Sequence, residues 1–192
     1  MSEKSDALAV PLDVTMRRPT LFDVPAMPIL AAPLVIRRAQ REEAEALAAL
    51  LSRAYPTEAW DVAGTERELF RDETVRATLV VAANGRLVAT ASAQIRLDAP
   101  ECGWVRWVAT EQDRRREGLG RALAIAVLAS AEQAGCREAR LHTTTDRLAA
   151  IRLYLRLGFE PLLRSGADRE AWERVIRLLS GEAGGSRRRR PH

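Results

Sequence analysis

The chain has 192 residues, 47% of them hydrophobic, enough for one domain with a sizeable core and too few for two comfortable ones. Its net charge of +4 equals the four arginines at 187–190, so the remainder is balanced, which counts against a nucleic-acid-binding body. No apolar run approaches the ~18 residues that span a bilayer, no basic-then-apolar leader opens the sequence, and Cys102 and Cys136 offer neither a disulfide framework nor a metal spacing, so a soluble, reduced, cytoplasmic protein without a metal is expected.

Residues 1–33 hold five prolines (Pro11, Pro19, Pro25, Pro28, Pro33), which remove backbone donors and disfavour helix before them, so this stretch reads as an extended arm. Its many apolar residues suit packing on the domain or on a second subunit, as an exchange element in a homodimer. The domain itself is placed at 34–180. A first strand is expected at 34–38 and a helix at 41–54, where Ala44, Leu47, Leu50, Leu51 and Ala54 recur at helical spacing. Thr65-x-x-Glu68 reads as a capping box, which starts a second helix near Glu66 and ends it about Asp72.

The β-rich runs 77–83 and 86–95 are joined by Asn84-Gly85, the residue pair that a type I′ hairpin turn asks for. After Ala99-Pro100 a buried strand is expected at 101–109, then a helix at 118–134 stopped by Gly135. A strand follows at 137–143, then a helix at 147–157, capped by Asp146 and ended by Gly158. Residues 159–163 read as a further strand. Trp172, Val175, Ile176 and Leu179 then mark an amphipathic helix that begins near Asp168, and 181–192 reads as a disordered arginine-rich tail.

Between the strand at 101–109 and the helix after Gly118 lies a loop rich in arginine and glycine. The first N–H groups of a helix have no partner and its dipole is positive there, so such a loop is an anion site. Gly118 and Gly120 let a phosphate approach the backbone, and Arg115, Arg116 and Arg121 add charge. A Walker loop would need a lysine, and none follows Lys4; a Rossmann fingerprint would need glycine where Leu123 stands. What remains, Arg115-x-x-Gly118-x-Gly120, resembles the pyrophosphate loop of the GNAT superfamily of acyl-CoA-dependent N-acyltransferases. A second stretch, Ala-Ile-Arg-Leu-Tyr-Leu-Arg-Leu-Gly-Phe at 150–159, is similar to the superfamily's late helix with its Leu-Tyr pair and the Gly-Phe that opens the next strand.

The resemblance, which covers about 34–163, implies an α/β (α+β) GNAT fold, a mixed central sheet of six or seven strands with four core helices, to which the C-terminal helix adds a fifth. The superfamily's commonest pattern ends on another strand instead. It further implies acetyl-CoA as co-substrate, a primary amine of a small molecule or protein as acceptor, and direct attack in a ternary complex. The backbone of Val108, Ala109 and Thr110 would bond pantetheine amides and meet the thioester oxygen, and the segment Arg115, Arg116, Glu117, Gly118, Leu119, Gly120 and Arg121 would hold the pyrophosphate. Arg147 stands where many relatives have a pantetheine-binding asparagine, and Arg116 where relatives often have glycine. Tyr154 matches the tyrosine that protonates the departing thiolate. Relatives carry a glutamate base on the central strand, but Trp104 and Arg106 stand at the matching positions; His142 and Glu101 are the titratable candidates, and proton loss to water is the third option. The link between the first two helices, with Tyr55, Trp60 and Asp61, would wall the acceptor site. A non-catalytic acyl-CoA sensor is the alternative, prompted by the missing glutamate; acetylation of an aminoacyl-tRNA would need a basic face that the balanced body lacks.

Overall fold

The computed structural model describes residues 10–186. Among these, seven strands and five helices are joined by loops and by short 3-10 and π turns, and the chain divides into two compact bodies: Arg18–Arg140, and the residues up to Arg17 with those from Leu141.

In the first body β2 (Leu34–Arg38), β3 (Val75–Ala83), β4 (Arg86–Ile95) and β5 (Cys102–Thr110) pair antiparallel in that order. Asn84 and Gly85, both at positive φ (50° and 79°), turn β3 into β4 as a type I′ turn requires. A 3-10 turn at Arg41–Glu43 leads into α1 (Ala44–Ala54), whose Leu47, Leu50 and Leu51 bury against Leu69, Val80, Ala82, Leu87 and Ala109. Helix α3 (Leu119–Gln133) also packs on β3, β4 and β5 but supplies none of that cluster, so it covers the opposite face of the sheet. Fully buried Leu123 and Leu128 contribute about 1.5–3 kcal/mol each to that packing. Gly135, at φ 90°, ends the helix, and the N–H of Cys136 returns to the Ala131 carbonyl at 3.0 Å.

Two expected caps are corrected. Helix α2 (Val62–Glu66) begins before Thr65: Asp61 is its N-cap and accepts from the Gly64 N–H at 2.6 Å, while the buried Thr65 hydroxyl has no partner among the described residues. The chain continues through a π turn at Arg67–Arg71. Likewise Arg147, not Asp146, is the N-cap of α4 (Leu148–Arg156), and no side chain caps it.

The second body holds β1 (Asp13–Arg18), the last four residues of β6 (Glu138–Thr144), α4, β7 (Glu160–Pro161) and α5 (Gly166–Ser186). Strand β1 lies within the proline-bearing stretch read as an arm. It pairs antiparallel with β7, Met16 opposite Pro161, and Val14 and Met16 are buried. On its other side the Leu12 N–H donates to Thr145 Oγ1 (3.0 Å) and the Thr145 N–H to the Leu12 carbonyl (2.9 Å). The N-terminal stretch thus supplies the strand beside β7, while the chain after β7 becomes helix. Ser165 and Asp168 cap α5 reciprocally: Asp168 Oδ2 accepts the Ser165 N–H (2.7 Å) and the Asp168 N–H donates to Ser165 Oγ (3.1 Å). This box starts α5 at Gly166, and the helix runs to Ser186, beyond the expected start of the tail; the arginines at 187–190 lie outside the described residues.

Both cysteines are buried in the first body. Burial, partly opposed by the charge of Arg140, pushes the Cys102 thiol up to about 12. The unfolded chain loses that proton near the ordinary thiol value of about 8.5, the folded chain only near 12, so between these values the unfolded state binds fewer protons and stability falls as pH rises. The stability gap between wild type and Cys102→Ala is therefore expected to shrink by about 1 kcal/mol per pH unit from pH 9 to 11. Urea titrations at three pH values read this directly, and a constant gap would show that the thiol is not desolvated.

Candidate active site

Strand β5 carries the first part of the site. Its register against β4 slips between Thr90 and Ser92: the pairs Thr90–Ala109 and Ser92–Arg106 span two steps on β4 and three on β5. The extra residue makes a bulge at Trp107 and Val108, with Trp107 at φ 53°. For a bulky aromatic that conformation costs about 1–3 kcal/mol and needs surroundings that hold it. They are present. The rings of Tyr55 and Trp60 meet Trp107 edge-on, centroids 5.5 and 4.7 Å away, and the Arg106 guanidinium lies 4.7 Å from its centroid. Tyr55 Oη donates to the Val108 carbonyl at 2.9 Å, which fixes the Val108–Ala109 peptide plane. The link between α1 and α2, which supplies Tyr55 and Trp60, thus stands against the bulge, and the Val108 carbonyl keeps only one lone pair for another donor.

The loop after β5 begins with Glu111, whose N–H extends the ladder to the Val88 carbonyl (2.9 Å). Its side chain is only 8% exposed and is held by Arg53 (2.5 Å) and Arg86 (3.3 Å) at the wall of a shallow depression of about 680 Å³, also lined by Gln112 and Asp113. A 3-10 turn at Gln112–Arg114 follows, and Arg114 closes on Glu117 at 2.8 Å, so the one carboxylate of the predicted anion segment is already engaged. Arg116 (φ 70°) and Gly118 (φ 79°) both take the left-handed conformation, and Gly118, the N-cap of α3, brings no side-chain acceptor to the first N–H groups of the helix. The first bond inside the helix is Ala122 N–H to the Gly118 carbonyl, at 3.0 Å. Leu119, Gly120 and Arg121 therefore present N–H groups that no turn of α3 can satisfy. The Leu119 side chain is buried, so only its backbone is available, whereas Arg115, Arg116 and Arg121 are exposed and make no salt bridge among the described residues.

Arg106 is part of a polar chain that sequence reading missed. Its Nη1 donates to Gln94 Oε1 (2.9 Å); Gln94 Nε2 donates to Thr74 Oγ1 (2.8 Å) and Asp72 Oδ2 (3.3 Å). Burial alone would raise the Asp72 carboxyl, but donors from Thr74 and Gln94 and the charge of Arg106 outweigh it and hold Asp72 below the usual carboxylate range.

Glu101, the other titratable candidate, is exposed in the first body, and the remaining predicted residues lie in the second. Tyr154, on α4, is 5% exposed and packs its ring against Phe159 (5.7 Å, 62° between planes). Arg147 is the half-buried N-cap of that helix. His142, on β6, is exposed, and its Nδ1 lies 3.0 Å from Thr15 Oγ1 of β1. The contacts of Tyr55 and Arg106 with Trp107 could not have been found from spacing, because both depend on the bulge; the nearest signal was the concentration of Tyr55, Trp60, Trp104 and Trp107 in so aromatic-poor a chain.

A helix entry flanked by exposed arginines is what the loop motif predicts, the bulge in the strand before it is new, and the sequence model of the Acetyltransferase (GNAT) family matches residues 44–159. The chain belongs to the GNAT acetyltransferase family. None of the curated protein sequences matches it. Among solved structures it is similar to a GNAT-family protein of Novosphingobium aromaticivorans at 27% identity, covering 81% of this chain and 61% of that one with a TM-score of 0.60. It is similar at 21% identity to a GCN5-related N-acetyltransferase from Sphaerobacter thermophilus (80% and 49% covered, TM-score 0.66). A third neighbour is the aminoglycoside N-acetyltransferase AAC(6')-Iy in complex with CoA (22% identity, 71% and 93% covered, TM-score 0.61). The chain thus spans about three-fifths of the length of the first and half of the second. The expected α/β GNAT fold, with seven strands and five helices, is the fold of these GNAT neighbours. Among the described residues no helix of this GNAT chain is long and apolar enough to cross a membrane.

Proposed function

We propose that the protein transfers an acetyl group from acetyl-CoA to a primary amine by direct attack in a ternary complex. The observation that carries this reading is the entry to α3, where three N–H groups without helical partners follow a left-handed Gly118 and are flanked by exposed Arg115, Arg116 and Arg121. A pyrophosphate fits such a donor set. The CoA bound to AAC(6')-Iy agrees with this choice of donor.

In this reading Val108, Ala109 and Thr110 align the pantetheine through their backbone, and an N–H at the bulge polarises the thioester carbonyl. The amine nitrogen forms its bond to the acyl carbon as the C–S bond breaks. Tyr154 gives its phenolic proton to the departing sulfur and recovers one from solvent. The amine proton leaves through water, since Trp104 and Arg106, where relatives carry a glutamate, cannot accept it. Arg147 has a place at the pantetheine as a donor from the N-cap of α4.

Calorimetric titration with acetyl-CoA, followed by assay of thiol release over pools of amines, tests the proposal. Binding and release are expected in the wild type. Gly118→Val puts a β-branched residue at φ 79° and a side chain over the anion site, so acetyl-CoA should bind at least about tenfold more weakly, the equivalent of 1.4 kcal/mol. Binding without release from any amine would sink the transferase reading, and no binding at all would remove its foundation.

A further inference from the structure

Arg106 stands one residue before the Trp107–Val108 bulge, next to the backbone to which the acyl carrier is assigned. It lies on the sheet face covered by α1, α2 and the π turn: its neighbour Ser92 bonds the Thr78 hydroxyl (3.2 Å), which itself donates to the Leu69 carbonyl (3.3 Å). That face also presents Tyr55, Trp60 and Trp107.

The charge of Arg106 is not matched where it sits. Among the described residues it makes no salt bridge, and its one hydrogen bond is to the neutral amide of Gln94. The nearest acid along that chain, Asp72, reaches Arg106 only through Gln94: Oδ1 accepts from the Thr74 N–H (2.9 Å) and Thr74 Oγ1 (2.6 Å), and Oδ2 accepts from Gln94 (3.3 Å). Taking a guanidinium half out of water with only a neutral partner is unfavourable unless an anion completes it. Two restraints, the Gln94 bond and the indole of Trp107 at 4.7 Å, fix the plane of the fork, so less order has to be imposed when a ligand arrives. Nε and Nη2 are not buried and have no protein partner among the described residues. A fork with two donors free matches a planar oxyanion. One cation already felt by Asp72 suits a single negative charge, hence a carboxylate and not a phosphate dianion.

We infer that Arg106 forms a carboxylate subsite for the acceptor, so that the amines this protein acylates carry an acid group, as free amino acids do. The inference rests on the transferase reading for the word acceptor, but the subsite itself can be tested apart from turnover. In the same stroke it accounts for a cation where relatives carry a glutamate: the position serves recognition, and the amine proton is left to water.

The test compares the common amino acids with their C-terminal amides, which keep the amine and lose the carboxylate. Acids are expected to exceed amides at least tenfold in kcat/KM, with most of the difference in KM. Arg106→Gln keeps a hydrogen-bonding group beside Gln94 and removes the charge; the ratio should fall to near one, while Arg106→Lys should restore part of it because the charge returns without the fork. Because Arg106 also packs on Trp107, any loosening of the bulge in these variants lowers kcat/KM for acids and amides alike, and the ratio of the two isolates the carboxylate contact. Equal use of acids and amides by the wild type, or a preference that survives Arg106→Gln, overturns the inference. If no amine gives thiol release, the transferase reading fails separately. The subsite is then read by ligand-observed NMR with N-acetyl amino acids against their amides in the presence of CoA. Binding of the acids that Arg106→Gln abolishes supports it, and no binding to the wild type overturns it.

Discussion

Tyr154→Phe is expected to lower kcat by about 10²–10⁴, the range in which a positioned general acid contributes, with little change in acetyl-CoA affinity. The substitution deletes one oxygen and keeps the ring, and the ring is what packs: Tyr154 is 5% exposed and sits edge-on to Phe159 at 5.7 Å. The fold should lose no more than about 1.5 kcal/mol, one hydrogen bond's worth. Steady-state rates at saturating acetyl-CoA, set beside a melting curve, separate the two contributions. A variant that melts early but turns over at the wild-type rate would make Tyr154 a core residue and nothing more, and the thiolate would then take its proton from water.

Gly103→Ala should destabilise the protein by about 1–3 kcal/mol, a loss of roughly 2–12 °C in Tm for a chain of this size. A methyl built on Gly103 would stand 2.6 Å from the Ala131 Cβ of α3, well inside van der Waals contact. Ala131 has no rotamer with which to retreat, since its methyl is fixed to a helix that is buried over most of its length. Either β5 or α3 must move, and α3 carries the anion site at its other end, so acetyl-CoA affinity should fall along with stability. The double variant Gly103→Ala with Ala131→Gly moves the methyl from helix to strand; it should recover part of the loss, less the ~1 kcal/mol that a glycine costs inside a helix. Melting of the single variant at the wild-type temperature would mean that strand and helix are not in such close contact.

Much of this architecture was legible because local chemistry determines it. Asn84-Gly85 permits positive φ twice and so makes the hairpin, and Gly118 and Gly135 bracket α3 through the conformations that only they adopt easily. What could not be read has physical causes as well. In β1 the alternation of buried Val14 and Met16 with Thr15 and Arg17 spans one short strand between Pro11 and Pro19, and the prolines speak louder than so brief a period. Thr65-x-x-Glu68 has the letters of a capping box, but Asp61 offers its carboxylate one turn earlier and the helix starts there. The bulge was hidden more deeply. A sequence that places tryptophan at a left-handed position gives no sign of it, because the preference of the residue is overruled by Tyr55, Trp60 and Arg106, which arrive from elsewhere in the chain.

Strand β1 is made long before the strand it pairs with. Thr15 meets His142 across 127 residues and Leu12 meets Thr145 across 133, so at a synthesis rate of about 5–20 residues per second β1 waits on the order of 6–27 s for β6 to emerge. The partners of β2 lie far closer along the chain, and the ladder from β2 to β5 can close in the meantime. During that interval Val14 and Met16 are exposed to whatever else is in the cell. Until β6 emerges, the edge of β1 has no strand beside it, and unpaired edges of this kind are where chains pair wrongly.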